Sequence, residues 1–110
     1  MTEKEGTSAE EMERVVLVAV KTTEVKIQQV NDSLDELAFL AETAGAKAVM
    51  RFTQNLQAPD SRTYVGTGRL EDIRVYVEEN EIGTIIFDDE LTPSQQKNIE
   101  QALHCVVLDR

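Results

Sequence analysis

Short apolar runs alternate with helical stretches along this chain, and this alternation constrains its fold more than any other feature. The four apolar runs, each a candidate strand, occupy residues 14–20, 46–54, 83–89 and 104–109. The three stretches with helical periodicity occupy residues 33–45, 68–80 and 92–103. Strands that alternate with helices over short connections form right-handed βαβ units. We therefore predict a small doubly wound α/β domain, whose four-stranded parallel sheet carries helices on both faces. Analogy with other doubly wound sheets suggests the strand order 2-1-3-4.

The length and the charge distribution indicate the domain organisation. A chain of 110 residues makes one small domain. Its first 13 residues carry five acids and no apolar periodicity, so we expect a flexible acidic segment over 1–13 and the folded domain over 14–110. The last strand stops at Asp109 with no following helix to cover the sheet, and an open sheet edge is a liability. This predicts that the chain is a fragment of a longer protein.

Two of the three helices have recognisable start signals. Ser33 and Glu36 have the spacing of a capping box, which predicts that the first helix begins at Ser33. Thr92 is placed as an N-cap, with Gln95 completing a second capping box before the third helix.

The second helix follows a glycine-rich turn, "TYVGTGRLEDI", at residues 63–73. Such a turn points backbone N–H groups and the positive end of the helix dipole at whatever lies in front of it, which suits an anion. The P-loop pattern is absent, and the third glycine of the Rossmann fingerprint is replaced by glutamate. The turn is therefore either an ordinary helix start, with Thr67 or Gly68 as N-cap, or an anion site that binds phosphate without a nucleotide fingerprint.

The net charge of −10 argues against a general basic surface for nucleic acid. The stretch 51–69 is the exception, because Arg51, Arg62 and Arg69 stand there against the single acid Asp60, which leaves a local charge of +2. This stretch also contains most of the long loop at 55–67, and loops of that length are usually functional or mobile. We expect a small positive contact surface here.

The aromatic ring of Tyr64 lies in this loop and has two candidate roles. It stacks on a nucleic-acid base, or it anchors the loop against the core. The sequence alone leaves both open.

Asp88 and Asp89 follow the third strand, at the carboxyl edge where open parallel sheets collect ligands. Carboxylates there are weak candidates for a Mg²⁺ site, and the alternative is a solvated turn. No catalytic or zinc-binding set of residues is present.

Compartment and membrane signals point the same way. No apolar run approaches the eighteen or so residues of a membrane span, and the acidic N-terminus does not resemble a targeting peptide. A single cysteine cannot make an internal disulfide. These features favour the cytoplasm.

Four segments together resemble the N-terminal domain of the HflX family of GTP-binding proteins: "SLDELAFLAETAGA", "TYVGTGRLEDI", "FDDELTPSQQKNIEQAL" and "VVLDR". The resemblance covers residues 14–110, and "YVGTGR" and "FDDELTPSQQ" are its most specific parts. The family pattern is Gly-x-Gly-Lys, where this sequence has arginine at position 69. Arginine keeps the positive charge of lysine but changes its geometry.

The resemblance implies that the parent protein is a GTPase, with GTP and Mg²⁺ bound in a G domain that lies outside this chain. It also implies association with the large ribosomal subunit and rRNA, a role in splitting or rescue of stalled ribosomes, and contacts with a helical hairpin that follows the domain. The chain itself has no P-loop, so we expect no GTP hydrolysis by it. The residues that would contact RNA phosphate or bases are Arg51, Arg62, Tyr64, Gly66, Thr67, Gly68 and Arg69.

Two alternatives remain at this stage. The resemblance also allows an ATP-binding regulatory domain, in which the turn from Gly66 to Arg69 holds phosphates and Asp88 and Asp89 hold Mg²⁺. A purely structural domain that docks on the helical hairpin is the other.

Overall fold

The computed structural model describes residues 12–110, in which four parallel strands form one sheet. The strands are β1 (Glu13–Lys21), β2 (Ala46–Asn55), β3 (Thr84–Phe87) and β4 (Val106–Asp109). The sheet order is β2-β1-β3-β4, and every neighbouring pair is parallel. The predicted order 2-1-3-4 is therefore confirmed, while most of the predicted acidic segment, residues 1–11, lies outside the described residues.

Three helices connect the strands: α1 (Ile27–Thr43), α2 (Thr67–Glu79) and α3 (Pro93–Leu103). Successive residues of a strand point to opposite faces of the sheet, so each face has its own core. On one face, Val15, Leu17 and Ala19 of β1 pack against α1. On the other, Val16 and Val18 join the apolar residues that face α2 and α3. The prediction of helices on both faces is confirmed.

No helix within residues 12–110 is long and apolar enough to cross a membrane.

Helix α1 begins six residues before the predicted start. Its N-cap is Lys26, whose N–H donates to Oε1 of Gln29 at 2.8 Å. Val30 is buried one helical turn before Leu34, so the apolar stripe already requires a helix there. The predicted Ser33–Glu36 capping box is therefore wrong, and Ser33 lies inside the helix. The predicted end is confirmed, because Gly45 follows the helix with φ of +93°.

The other two helix starts agree with the sequence to different degrees. Helix α3 is capped as predicted: Oγ1 of Thr92 accepts from N–H of Gln95 at 3.1 Å, and Oε1 of Gln95 accepts from N–H of Thr92 at 2.9 Å. The N-cap of α2 is Gly66, one residue before Thr67 and two before Gly68, the two predicted N-caps.

Candidate functional site

The loop between β2 and α2, residues 56–66, is folded around the carboxylate of Asp60. Its Oδ1 accepts from the backbone N–H of Arg62 at 2.8 Å and of Thr63 at 3.1 Å. These two hydrogen bonds hold the pKa of the Asp60 carboxyl below its usual value. The backbones of Asp60 and Tyr64 also exchange both of their hydrogen bonds, at 2.9 and 3.0 Å. The segment without sequence periodicity is thus a compact, hydrogen-bonded turn.

Two side chains of helix α3 donate hydrogen bonds to this loop. Nε2 of Gln95 donates to the carbonyl of Asp60 at 2.7 Å, and Nδ2 of Asn98 donates to the carbonyl of Arg62 at 3.0 Å. The buried side chain of Gln95 therefore has two roles: it completes the capping box of α3, and it holds the loop through the carbonyl of Asp60. Its spacing from Thr92 predicted the first of these roles, but no local pattern indicated the second.

The ring of Tyr64 anchors the loop in the core. Only 2% of the residue is exposed, and its ring packs edge-on against Phe87 with the centroids 5.4 Å apart. Its hydroxyl donates to Oδ2 of Asp89 at 3.2 Å. Burial, reinforced by the neighbouring Asp89 carboxylate, raises the pKa of the phenol well above its usual value. Of the two roles left open by the sequence, the structure shows the anchor, and the buried ring face is not available to stack on a base.

The start of α2 presents open backbone N–H groups. Gly66 has no side chain, and its own N–H donates to Oε1 of Gln54 at 2.8 Å. A Cβ atom at position 66 would lie 3.2 Å from Nε2 of Gln54, so the close approach favours glycine. No side chain caps this helix, which leaves the amides of Thr67, Gly68 and Arg69 at its positive end. A Cβ at position 68 would meet nothing within 4 Å, so this turn is open in front.

Two of the three predicted arginines lie near this helix start. Arg62 is exposed and lines a small cavity of about 140 Å³ with Asp60, Thr63 and Thr67. Arg69 stands in the first turn of α2, where one guanidinium nitrogen lies 3.3 Å from Oδ2 of Asp72 and Nε has no acceptor within residues 12–110. The structure therefore brings Arg62 and Thr67 together at this cavity, while the guanidinium of Arg69 lies along the first turns of α2, beside Asp72.

Arg51 is not part of this arrangement. It pairs in register with Leu17 of β1, which faces α1, and its guanidinium lies 2.8 Å from Oδ1 of Asp35 on α1. The loop and α2 cover the opposite face of the sheet. The three arginines that stand close together in the sequence thus lie on two different faces of the fold.

Asp88 and Asp89 lie at a second cavity, between the carboxyl ends of β1 and β3, where the strand order reverses. This cavity has a volume of about 350 Å³ and is also lined by residues of the β1–α1 connection and by Tyr64. The Asp88 side chain is 5% exposed and pairs with the guanidinium of Arg110, whose pKa it raises. Asp89 accepts from the Tyr64 hydroxyl, as described above. Within the described part of the chain, no group of three His, Cys, Asp or Glu side chains is arranged to hold a metal ion.

The two cavities share no lining residue. In the ATP-binding alternative, the nucleotide places its phosphates at the start of α2 and its Mg²⁺ at Asp88 and Asp89. It would therefore have to occupy both cavities. Since one of those carboxylates is already paired with Arg110, the arrangement disfavours this use of the two sites together.

Comparisons of the sequence with known proteins identify its relatives. A sequence model of the family described as GTP-binding GTPase N-terminal matches residues 31–110. The chain is 46% identical over its whole length to the GTPase HflX of Flavobacterium psychrophilum, of which it covers 26%. It is 44% identical to the GTPase HflX of Lacrimispora saccharolytica over 89% of the chain and 23% of that protein, and 32% identical to that of Escherichia coli over 89% of the chain and 22% of that protein. The chain thus spans about a quarter of the length of these curated relatives.

Proposed function

The chain belongs to the family of GTP-binding GTPase N-terminal domains found in HflX proteins, and we propose that it is the rRNA-contacting domain of such a GTPase. In this proposal the full-length protein associates with the large ribosomal subunit in the cytoplasm and acts in splitting or rescue of stalled ribosomes. GTP and Mg²⁺ are bound by another part of that protein, and this domain contributes binding rather than catalysis.

The observation that carries the proposal is the uncapped start of α2. Three successive backbone amides there have no side-chain cap, and the first turn is sterically open at Gly68. Phosphate oxygens are good acceptors for such amides, because the helix dipole and the N–H groups act in the same direction. The RNA backbone is a source of such phosphates, and we therefore take RNA as the ligand of this surface.

The charges near the helix start favour the same ligand. Arg62 is exposed beside it, and the side chain of Arg69 is 37% exposed. The whole chain nevertheless carries −10, which repels RNA at a distance. We therefore expect binding that depends on close fit and weakens as salt is raised.

Replacing Arg69 by glutamate in the full-length protein tests the proposal. The change removes one charge-assisted phosphate contact, and we expect a loss of about 1 to 3 kcal/mol in affinity for large ribosomal subunits. The assay is co-sedimentation with purified large subunits over a salt series.

The matched control is Arg74→Glu, on the same helix. Arg74 is paired with Glu71 and Glu78 along the helix surface, away from its first turn. The control should bind nearly as well as wild type, and GTP binding should be unchanged in both variants. Equal affinities for Arg69→Glu and wild type across the salt series would mean that the turn is only a helix start.

A further inference from the structure

The cavity between the carboxyl ends of β1 and β3 has no part in the proposed RNA contact. It lies where the strand order reverses, which is the position at which open parallel sheets bind ligands. Its volume is about 350 Å³. Sites for small molecules in proteins have volumes of roughly 300 to 1,000 Å³. Both the position and the size of this cavity therefore suit a small ligand.

One part of the cavity wall is apolar. Ala19 of β1 and Val30 of α1 belong to it and are buried. Val25 of the β1–α1 connection and Pro59 of the β2–α2 loop complete this part of the wall. A wall of this kind favours a short hydrocarbon chain, because packing there removes apolar surface from water.

The polar part of the wall consists of carboxylates and hydroxyl groups. Asp88 and Asp89 supply the carboxylates, and Thr22, Ser33 and Tyr64 supply the hydroxyls. Among the described residues that line the cavity, none is a lysine or an arginine. An anionic ligand such as a nucleotide would meet two carboxylates here without a cation in the wall. The wall therefore favours a ligand that donates hydrogen bonds and carries positive charge.

The protein itself engages only one of the two carboxylate oxygens of Asp88. This side chain is 5% exposed, and its Oδ1 accepts from Nε of Arg110. Its Oδ2 accepts no hydrogen bond from any group of residues 12–110. An oxygen of so buried a carboxylate gains from a donor, and a ligand in the cavity can supply one.

The charges around the cavity are not balanced. Arg110 is paired with both Asp88 and Glu36. The carboxylate of Asp89 has only neutral donors, namely the Tyr64 hydroxyl and a backbone N–H. The side chains of Asp88, Asp89, Glu36 and Arg110 therefore carry a net charge of −2. Two ammonium groups would balance this charge.

We propose that the cavity binds an aliphatic diamine or polyamine. One ammonium group donates to Oδ2 of Asp88, the second lies at the carboxylate of Asp89, and the methylene chain between them packs on the apolar wall. Hydrogen bonds from an ammonium group to a carboxylate are charge-assisted and stronger than those between neutral groups. A metal ion fits less well, because no group of three His, Cys, Asp or Glu side chains in the described part of the chain is arranged to hold one.

A titration of the ¹⁵N-labelled 110-residue chain with 1,4-diaminobutane at constant ionic strength tests this inference. We expect saturable shifts of the backbone amide resonances of Thr22, Val25 and Asp89. The diamine should bind about three-fold or more tightly than n-butylamine, which has one ammonium group and so lacks the contact with the exposed Asp89.

Two variants locate the ligand. Asp88→Asn should weaken binding of the diamine about ten-fold or more, because it removes the buried charge. Glu79→Gln is the matched control, since it removes the same charge from an exposed side chain at the end of α2 and should bind as wild type does. Val25→Phe fills the cavity without changing any charge, at a position that is only partly buried, and should abolish the shifts. It also keeps the test decisive if the loss of the Asp88–Arg110 pair disturbs folding.

The other outcomes would overturn the inference. Unchanged affinity in Val25→Phe would mean that the amine is attracted only by the charge of the surface. Equal saturable shifts with Mg²⁺ or with ATP would mean that the cavity takes a different class of ligand. The absence of saturable shifts with 1,4-diaminobutane would mean that it takes no diamine. The assay contains no RNA, so its result is independent of the proposed function.

Discussion

Helices α2 and α3 begin on the same face of the sheet, yet their first turns are completed in opposite ways. At α3, Thr92 and Gln95 satisfy each other's backbone amides, and Pro93 occupies the first helical position. At α2, the N-cap is Gly66, which offers no side-chain acceptor. One helix start is closed by the protein itself, and the other is left open to an external acceptor.

The open start of α2 is held in place by a residue of the closed start of α3. Gln95, which closes α3, also donates to the carbonyl of Asp60 in the loop that leads into α2. The loop is further fixed by Tyr64 in the core. A helix start that lacks a cap is therefore presented on a rigid support, which is the arrangement that a preformed anion site requires.

The largest effect on stability is expected at Gln95, the residue that links the two helix starts. Gln95→Ala removes a buried brace and half of a capping box, so we expect the free energy of unfolding to fall by about 2 kcal/mol. The measurement is urea denaturation. Gln101→Ala is the control, because Gln101 is exposed on the same helix. Equal midpoints for the two variants would mean that Gln95 does not hold the two helix starts together.

A smaller effect is expected from the titration of Asp60. Its pKa is lower in the folded chain than in the unfolded chain, so the carboxylate stabilises the fold above its ordinary pKa of about 4. That contribution is lost as the pH falls through the lower folded value. We therefore expect wild type to exceed Asp60→Asn in stability at pH 7 by at most about 1 kcal/mol, since solvent screens this exposed group, and to lose this advantage as the pH falls below the folded pKa. Parallel stability curves for the two proteins from pH 7 to pH 2 would contradict this role of Asp60.

The smallest effect on stability is expected at Gly68. A Cβ atom there meets no neighbour, and alanine is a better helix former than glycine, so Gly68→Ala should stabilise the fold by a few tenths of a kcal/mol. If RNA phosphate approaches the amides of this turn closely, the added methyl group should also weaken RNA binding. Thermal unfolding and RNA titration are measured on the same variant, and a more stable domain that binds RNA equally well would argue against phosphate at this turn.

Local patterns in the sequence predicted the order of strands and helices along the chain and the cap of α3, because each depends on residues close together in the chain. The sheet order is a long-range property, and it was predicted correctly only by analogy with other doubly wound sheets. The predicted start of α1 was wrong because the Ser33–Glu36 pattern also fits a helix interior. In the structure both side chains lie inside α1 and accept hydrogen bonds from the guanidinium of Arg110, which follows β4. The grouping of Arg51 with Arg62 and Arg69 failed in the fold for a similar reason. Which face a strand residue occupies depends on its register with β1, and this register is a long-range property.

The proposed function requires that RNA phosphate binds at the start of α2 and not at the start of α3. A titration of the ¹⁵N-labelled chain with a stem-loop of large-subunit rRNA, followed through the backbone amide resonances, tests this directly. We expect the amide resonances of Thr67, Gly68 and Arg69 to shift in a saturable, salt-sensitive way, while those of residues 94–96 do not shift. Shifts of equal size at both helix starts, or at neither, would show that phosphate does not bind selectively at the start of α2.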